Sequence, residues 1–180
     1  MDETGLILVV DDNEMNRDVL VRRLQRQKFE VEVAEDGEQA LAMLAKTPYD
    51  LVLLDVQMPK LNGYEVLERI KTDPLRRDVP VIMITAVDDL DSVVKCIELG
   101  ADDYMFKPFN PVLLKARVNA SLERSRRFQQ GRTALLPELQ PVLEALMADA
   151  QHLSRLEGEH HAAAQRLLQN AHKLAELFNL

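Results

Sequence analysis

The sequence predicts an α/β protein, a parallel sheet doubly wound with helices and followed by a helical hairpin, and three observations predict it. Five short apolar runs alternate with amphipathic stretches through the first 128 residues, the order that packs crossover helices on both faces of a parallel sheet. Acidic, hydroxyl and basic residues stand directly after the runs rather than inside them. Beyond Gly131 the strand-like runs stop, and apolar residues recur only at three- and four-residue intervals.

The runs are LILVV at 6–10, the weaker VEVA at 31–34, LVLL at 51–54, VIMIT at 81–85 and the short YMF at 104–106. All are rich in β-branched or bulky apolar residues, as strands buried on both faces require. Between and after them, residues 16–27, 38–45, 63–71, 89–99 and 111–128 place apolar residues at helical spacing. Asp36-Gly37, Asn62-Gly63 and Leu99-Gly100 supply turns or helix ends, and Pro48, Pro80 and Pro111 sit at element boundaries, where a missing N–H costs little. Right-handed crossovers then give a flavodoxin-like (βα)₅ sheet of strand order 2-1-3-4-5. Such a sheet puts its site outside the carboxyl ends of the strands, at the switch point.

In the tail, Leu139, Val142, Leu143, Leu146, Met147, Ala150, Leu153 and Leu156 form one apolar stripe. Ala164, Leu167, Leu168, Ala171, Leu174 and Phe178 form another after a break near Gly158. The expectation is a helical hairpin, with Gly131, Pro137 and Pro141 setting a bend ahead of it. Residues 4–127 are thus read as one domain and 128–180 as a linker and hairpin. Two such helices are too few to bury both stripes, so pairing with a second copy into a four-helix bundle, a homodimer, is the expected completion.

Composition narrows the function. The chain has 180 residues, 47% hydrophobic, and a formal net charge of −8. Its first 128 residues carry 18 Lys+Arg against 24 Asp+Glu and the remaining 52 carry 4 against 6. Neither part has the basic surface that direct nucleic-acid binding needs. No apolar run reaches membrane-spanning length and the start carries no signal-peptide pattern, so a cytoplasmic protein with no membrane contact is expected. The single cysteine, Cys96, excludes an intramolecular disulfide, and within SVVKCIELG it is expected to pack as a small apolar residue.

The chemistry lies at the strand ends: Asp11 and Asp12 after the first, Asp55 after the third, Thr85 after the fourth and Lys107 after the fifth. Three carboxylates brought together repel one another unless a cation lies between them, and hard oxygen ligands suit Mg²⁺. A carboxylate can then attack a phosphoryl group to give an acyl phosphate, provided the charge is neutralised. Asp55 is the candidate nucleophile, with Lys107 and the Thr85 hydroxyl holding phosphoryl oxygens. Taken singly, a Thr at a strand end or a Lys before a Pro is an ordinary surface residue or cap; the joint pattern at matching strand ends is what carries the reading.

Over Gly5 to about Arg127 the sequence resembles the response-regulator receiver family of two-component systems. The resemblance rests on VVDDNEMNRDVL, DLVLLDVQMPKLNGYEVL, PVIMITA and GADDYMFKPF. It implies that Asp12 and Asp55 bind Mg²⁺ directly, Asp11 mainly through water, and that the Gln57 backbone carbonyl adds a ligand. It implies Asp55 as phosphoacceptor and Thr85 and Tyr104 as the switch pair, read out on the face of the fourth helix, fifth strand and fifth helix. It also implies a sensor histidine kinase or phosphotransfer protein as partner, and a regulator rather than an enzyme. Gln57 and Val87 stand where the family tunes acyl-phosphate lifetime. Pro59 and Gly63 shape the loop after the phosphoacceptor, while Met58 and Phe109 read as packing residues.

An aspartyl phosphotransferase of the haloacid-dehalogenase type would want a second Asp two residues after the nucleophile, where Gln57 stands and cannot act as acid or base. A dinucleotide site would want a glycine-rich turn after the first strand, and Asp11-Asp12-Asn13-Glu14 is its opposite. For the tail, three readings compete: a dimerisation hairpin, a phosphotransfer helix pair with His172 as phosphoacceptor, and a linker to a further output domain. LLPELQPVLEALMADAQHL also resembles the first helix of a histidine-kinase dimerisation domain, with Pro141 near that box's proline, but Leu136 or Pro137 stands where the phosphohistidine belongs.

Overall fold

The computed structural model describes residues 5–85, 90–154, 165 and 168–172. Its elements are β1 (Leu6–Val10), α1 (Glu14–Gln25), β2 (Glu30–Ala34), α2 (Gly37–Leu44), β3 (Leu51–Asp55), α3 (Gly63–Thr72), β4 (Val81–Thr85), α4 (Leu90–Glu98), β5 (Asp103–Phe106) and α5 (Pro111–Ser154). The five strands form one parallel sheet in the order β2-β1-β3-β4-β5, as the sequence predicts.

Alternation along the strands divides the core. Leu8, Val10, Val52, Leu54, Val81 and Met83 face one side and pack with Ala40, Leu44, Val66, Leu67, Ile70 and Cys96 of α2, α3 and α4. Ile7, Val9, Leu51, Leu53, Ile82, Ile84 and Met105 face the other and pack with Leu20 and Leu24 of α1 and Leu114, Val118 and Leu122 of α5. Cys96 is buried within the first of these layers. The expectation of two buried faces holds for β1, β3 and β4 and fails for the two edge strands: in β2 Glu30, Glu32 and Val33 are exposed, and in β5 only Met105 is buried while Phe106 is exposed. As an edge strand β2 has one neighbour, and its charges sit where they discourage edge-to-edge pairing.

Helix starts are set by side-chain caps. Asn13 accepts from the Asn16 N–H at 3.2 Å and Asp36 from the Gln39 N–H at 2.8 Å. Asn62 and Glu65 form a reciprocal capping box, both bonds at 3.0 Å. Because the first cap lies at Asn13, α1 begins two residues before the start expected from apolar spacing. Gly100, at φ +88°, ends α4 in the left-handed conformation that glycine adopts without strain.

The chain divides into two compact units, Met1–Ser125 and Arg126–Leu180. In the second, the expected bend at Gly131, Pro137 and Pro141 is replaced by uninterrupted helix, since α5 continues through all three to Ser154. The two prolines are four residues apart, so their missing N–H groups fall on one side of the helix. The Leu, Ala, Glu, Gln and Met around them are strong helix formers. Residues 165 and 168–172 are helical and Ala171 is buried. The break near Gly158 and the stripe positions Leu156, Ala164, Leu167, Leu174 and Phe178 lie outside the described residues. Among the described residues no helix is long and apolar enough to cross a membrane.

Candidate functional site

Parallel register brings the carboxyl ends of the strands together. Val10 lies opposite Leu54, Asp55 opposite Ile84, and Thr85 opposite Phe106. Asp11 directly follows β1, Asp55 and Thr85 are the last residues of β3 and β4, and Lys107 follows β5. The Lys107 N–H donates to the Thr85 carbonyl at 2.8 Å, extending the β4–β5 ladder by one residue into the site.

Asp11, Asp55 and Thr85 are buried, whereas Asp12 is exposed. The Asp11, Asp12 and Asp55 carboxylates each offer one oxygen, and these oxygens lie within 4.8 Å of one another. Lys107 Nζ stands 2.8 Å from Asp11 Oδ2 and 2.9 Å from Asp55 Oδ2. The contact with Asp11 Oδ2 lacks hydrogen-bond alignment, so charge attraction at 2.8 Å is what balances that oxygen. Asp55 Oδ1 is buried with no hydrogen-bond partner among the described residues.

Burial pushes the Asp55 carboxyl up to about 6; Lys107 opposes the rise, the Asp11 charge adds to it, and the Gln57 backbone opposes it. Burial alone would lower the Lys107 pKa, and its pairing with Asp11 and Asp55 outweighs that and leaves it raised. The ammonium is therefore firmly charged, and the carboxylate beside it is an anion under strain. An all-oxygen donor set, a crowded negative charge and an orphaned buried carboxylate oxygen together fit a hard divalent cation.

The sequence-predicted residues are thus partly gathered. Asp11, Asp12, Asp55 and Lys107 meet directly, and Thr85 joins them along the ladder. Gln57 lies exposed in the loop after β3. Tyr104 stands apart on β5, half-buried, with its ring 5.6 Å from that of Phe106 and 5.6 Å from the Arg117 guanidinium. Val87 lies outside the described residues.

Asn16 and Arg17 carried no assigned role in the sequence reading, and Gly63 carried only that of shaping a loop. Asn16 and Arg17, in the first turn of α1, donate to Asp11 and to the Asp11 and Asp12 carbonyls. Their signal in the sequence was an amide and a guanidinium one helical turn after an acidic pair. Gly63, expected only to shape a loop, lies so close to the end of β3 that a Cβ there would sit 2.1 Å from the Asp55 carbonyl oxygen.

The chain belongs to the response regulator receiver domain family, whose model matches residues 7–119. It is similar to the probable transcriptional regulator ycf27 of Guillardia theta, 44% identical over 121 residues that make up 67% of this chain and 46% of that one. It is also 44% identical over 114 residues to the response regulator PleD of Caulobacter vibrioides, covering 63% of this chain and 25% of PleD. Among solved structures, a putative response regulator from Chloroflexus aurantiacus superposes with a TM-score of 0.65 at 34% identity, covering 67% of this chain and 99% of that one. The chain therefore spans less than half the length of these curated relatives.

Proposed function

We propose that this receiver domain is a switch driven by phosphorylation of Asp55. The observation that carries the reading is the meeting of a buried, charge-strained Asp55 with the Lys107 ammonium and two further carboxylates at the carboxyl ends of β1, β3 and β5. The donor is a phosphohistidine on a sensor histidine kinase or phosphotransfer protein. An Asp55 oxygen attacks phosphorus, the P–N bond breaks as the P–O bond forms, and the departing imidazole nitrogen keeps the bonding pair.

Asp12 and Asp55, Asp11 through water, and the Gln57 carbonyl would hold Mg²⁺. When bound, the cation offsets the charge of the carboxylates and of the incoming phosphoryl oxygens. Lys107 pairs with a phosphoryl oxygen in place of Asp55 Oδ2, and the buried Thr85 hydroxyl turns to another. Hydrolysis of the acyl phosphate resets the state, so the domain acts as a regulator rather than on a separate substrate.

The response leaves through Thr85 and Tyr104 to the face of α4, β5 and α5, where Val94, Ile97, Phe106, Val112 and Leu113 are exposed apolar residues. Within the second unit, Val142 and Leu146 are exposed one helical turn apart, which supports self-association of the tail as a homodimer. Incubation with Mg²⁺ and acetyl phosphate tests the reading: alkali-labile label should enter the wild type at one site and not enter Asp55→Asn.

A further inference from the structure

The acidic turn after β1 is held from outside the carboxylate cluster. Arg17 Nη1 donates to the Asp11 carbonyl at 2.8 Å and to the Asp12 carbonyl at 3.1 Å. Asp11 Oδ1 accepts from the Asn13 N–H at 2.9 Å and from Asn16 Nδ2 at 3.1 Å, so only Oδ2 is turned to Lys107. The Arg17 side chain is 12% exposed, and its other nitrogen meets Glu35 at 3.5 Å, a partner 70% exposed. That ion pair is weak by its exposure. The stronger contacts of this largely buried guanidinium are with the backbone of the two residues bearing the candidate ligands.

We infer that Asn16 and Arg17 form a positioning clamp that presets Asp11 and Asp12 for the divalent cation without touching it. Two backbone carbonyls in an acidic turn are oxygen donors that would compete with the carboxylates. Arg17 occupies both, and its positive charge offsets part of the repulsion among three carboxylates at the moment they must converge. Asn16 fixes the rotation of Asp11, so that one oxygen faces the site while the other is tied to α1. Outer-shell partners of this kind shift metal affinity by about tenfold or more when removed. A planar guanidinium is suited to the task because one nitrogen can bridge the carbonyls while the other reaches across to Glu35, a spread that an ammonium lacks.

The inference rests on the proposed metal site, and the experiment separates the two. Mg²⁺ itself is titrated calorimetrically into the full chain for wild type, Asp12→Ala, Arg17→Gln, Arg17→Lys and Asn16→Ala, with thermal unfolding recorded without Mg²⁺ to establish that each is folded. Phosphorylation rates with acetyl phosphate are then compared at saturating Mg²⁺. Arg17→Gln is expected to weaken Mg²⁺ binding by about tenfold, with Arg17→Lys and Asn16→Ala intermediate, and all three should regain wild-type phosphorylation rates once saturated. If Arg17→Gln proves unfolded, Arg17→Lys and Asn16→Ala decide the matter by the same criterion. Unchanged Mg²⁺ affinity in the clamp variants beside a defective Asp12→Ala would overturn the clamp and leave the metal site standing. Full rescue by Arg17→Lys would show that charge alone matters, and a rate deficit persisting at saturation would place these residues in the transfer itself; either result overturns the proposal. A wild type that fails to bind Mg²⁺, or an Asp12→Ala that binds it normally, would remove the metal site and the clamp with it.

Discussion

The Lys107 ammonium lies 2.9 Å from Asp55 Oδ2 while the other oxygen of the same carboxylate is buried without a hydrogen-bond partner among the described residues. One oxygen of Asp55 thus faces a cation, and the other has no hydrogen-bond partner among the described residues. Its carboxyl stands at about 6, raised first by burial, so the metal-free native state holds this proton more tightly than the unfolded chain does. Stability linked to Asp55 is therefore fully present below about pH 4 and is lost as pH rises through about 6.

Asp55→Asn should accordingly stabilise the Mg²⁺-free protein near neutral pH, by on the order of 1 to 3 kcal/mol, since Lys107 keeps Asp11 as a partner. The advantage should vanish toward about pH 4 and shrink when Mg²⁺ stabilises the wild type by binding its native state. Urea denaturation across this pH range, with and without Mg²⁺, reads it directly. A variant less stable than wild type at neutral pH without Mg²⁺ would show that Asp55 is not under strain.

Asp11 and Asp12 should separate stability from affinity. Asp12 is exposed, so Asp12→Ala should weaken Mg²⁺ binding more than tenfold, about 1.4 kcal/mol or more, with little change in unfolding. Asp11 is buried, pairs with Lys107 and accepts from Asn13 and Asn16. Asp11→Ala should cost roughly 3 kcal/mol of stability and less Mg²⁺ affinity than Asp12→Ala. Calorimetric titration and denaturant unfolding of both variants check the ordering, and the reverse order would contradict the ligand roles.

Two glycines should respond oppositely to alanine. At Gly63 the added Cβ would meet the Asp55 carbonyl at 2.1 Å and the Val56 Cα at 2.9 Å, backbone atoms that cannot step aside, so Gly63→Ala should cost more than about 2 kcal/mol. Gly131 lies inside α5 with nothing within 4 Å of the added atom. Gly131→Ala should stabilise by about 0.5 to 1 kcal/mol, because it adds a good helix former inside the continuous helix α5. Thermal unfolding of the pair tests both, and a neutral Gly63→Ala would remove the close approach as a constraint on the site.

Self-association should depend on the tail and respond to the receiver. Wild type should sediment as a dimer at micromolar concentration, while residues 1–128 alone and the full chain with Val142→Asp and Leu146→Asp should sediment as monomers. A phosphodonor should shift the wild-type distribution and leave that of Thr85→Ala unmoved, although Thr85→Ala is still phosphorylated. A monomeric wild type would favour the linker reading of residues 128–180.

The sheet was legible because each strand kept its apolar run, and Asp11, Asp55, Thr85 and Lys107 could be aligned from strand ends alone. The two-faced burial expected of 31–34 was not met, because Glu30 and Glu32 signal an edge position that a count of apolar residues overlooks. Gly131, Pro137 and Pro141 read as breakers by local propensity, yet α5 passes through them because helix formers flank each one. The contacts of Asn16 and Arg17 were invisible for a different reason: which backbone carbonyl a side chain reaches depends on how the helix leaves the strand, and periodicity does not encode that. The same holds for Gly63, whose need for hydrogen in place of a side chain arises from packing against Asp55 rather than from its own turn.

The central claim is that Asp55 accepts the phosphoryl group, and peptide mapping after incubation with Mg²⁺ and a phosphodonor tests it most directly. The account predicts one added phosphoryl group per chain, located by borohydride reduction and fragment mass at Asp55, and absent from Asp55→Asn and from wild type in chelator. A phosphoryl group found instead on Asp11, Asp12 or His172, or one that Asp55→Asn takes up at the wild-type rate, would contradict it.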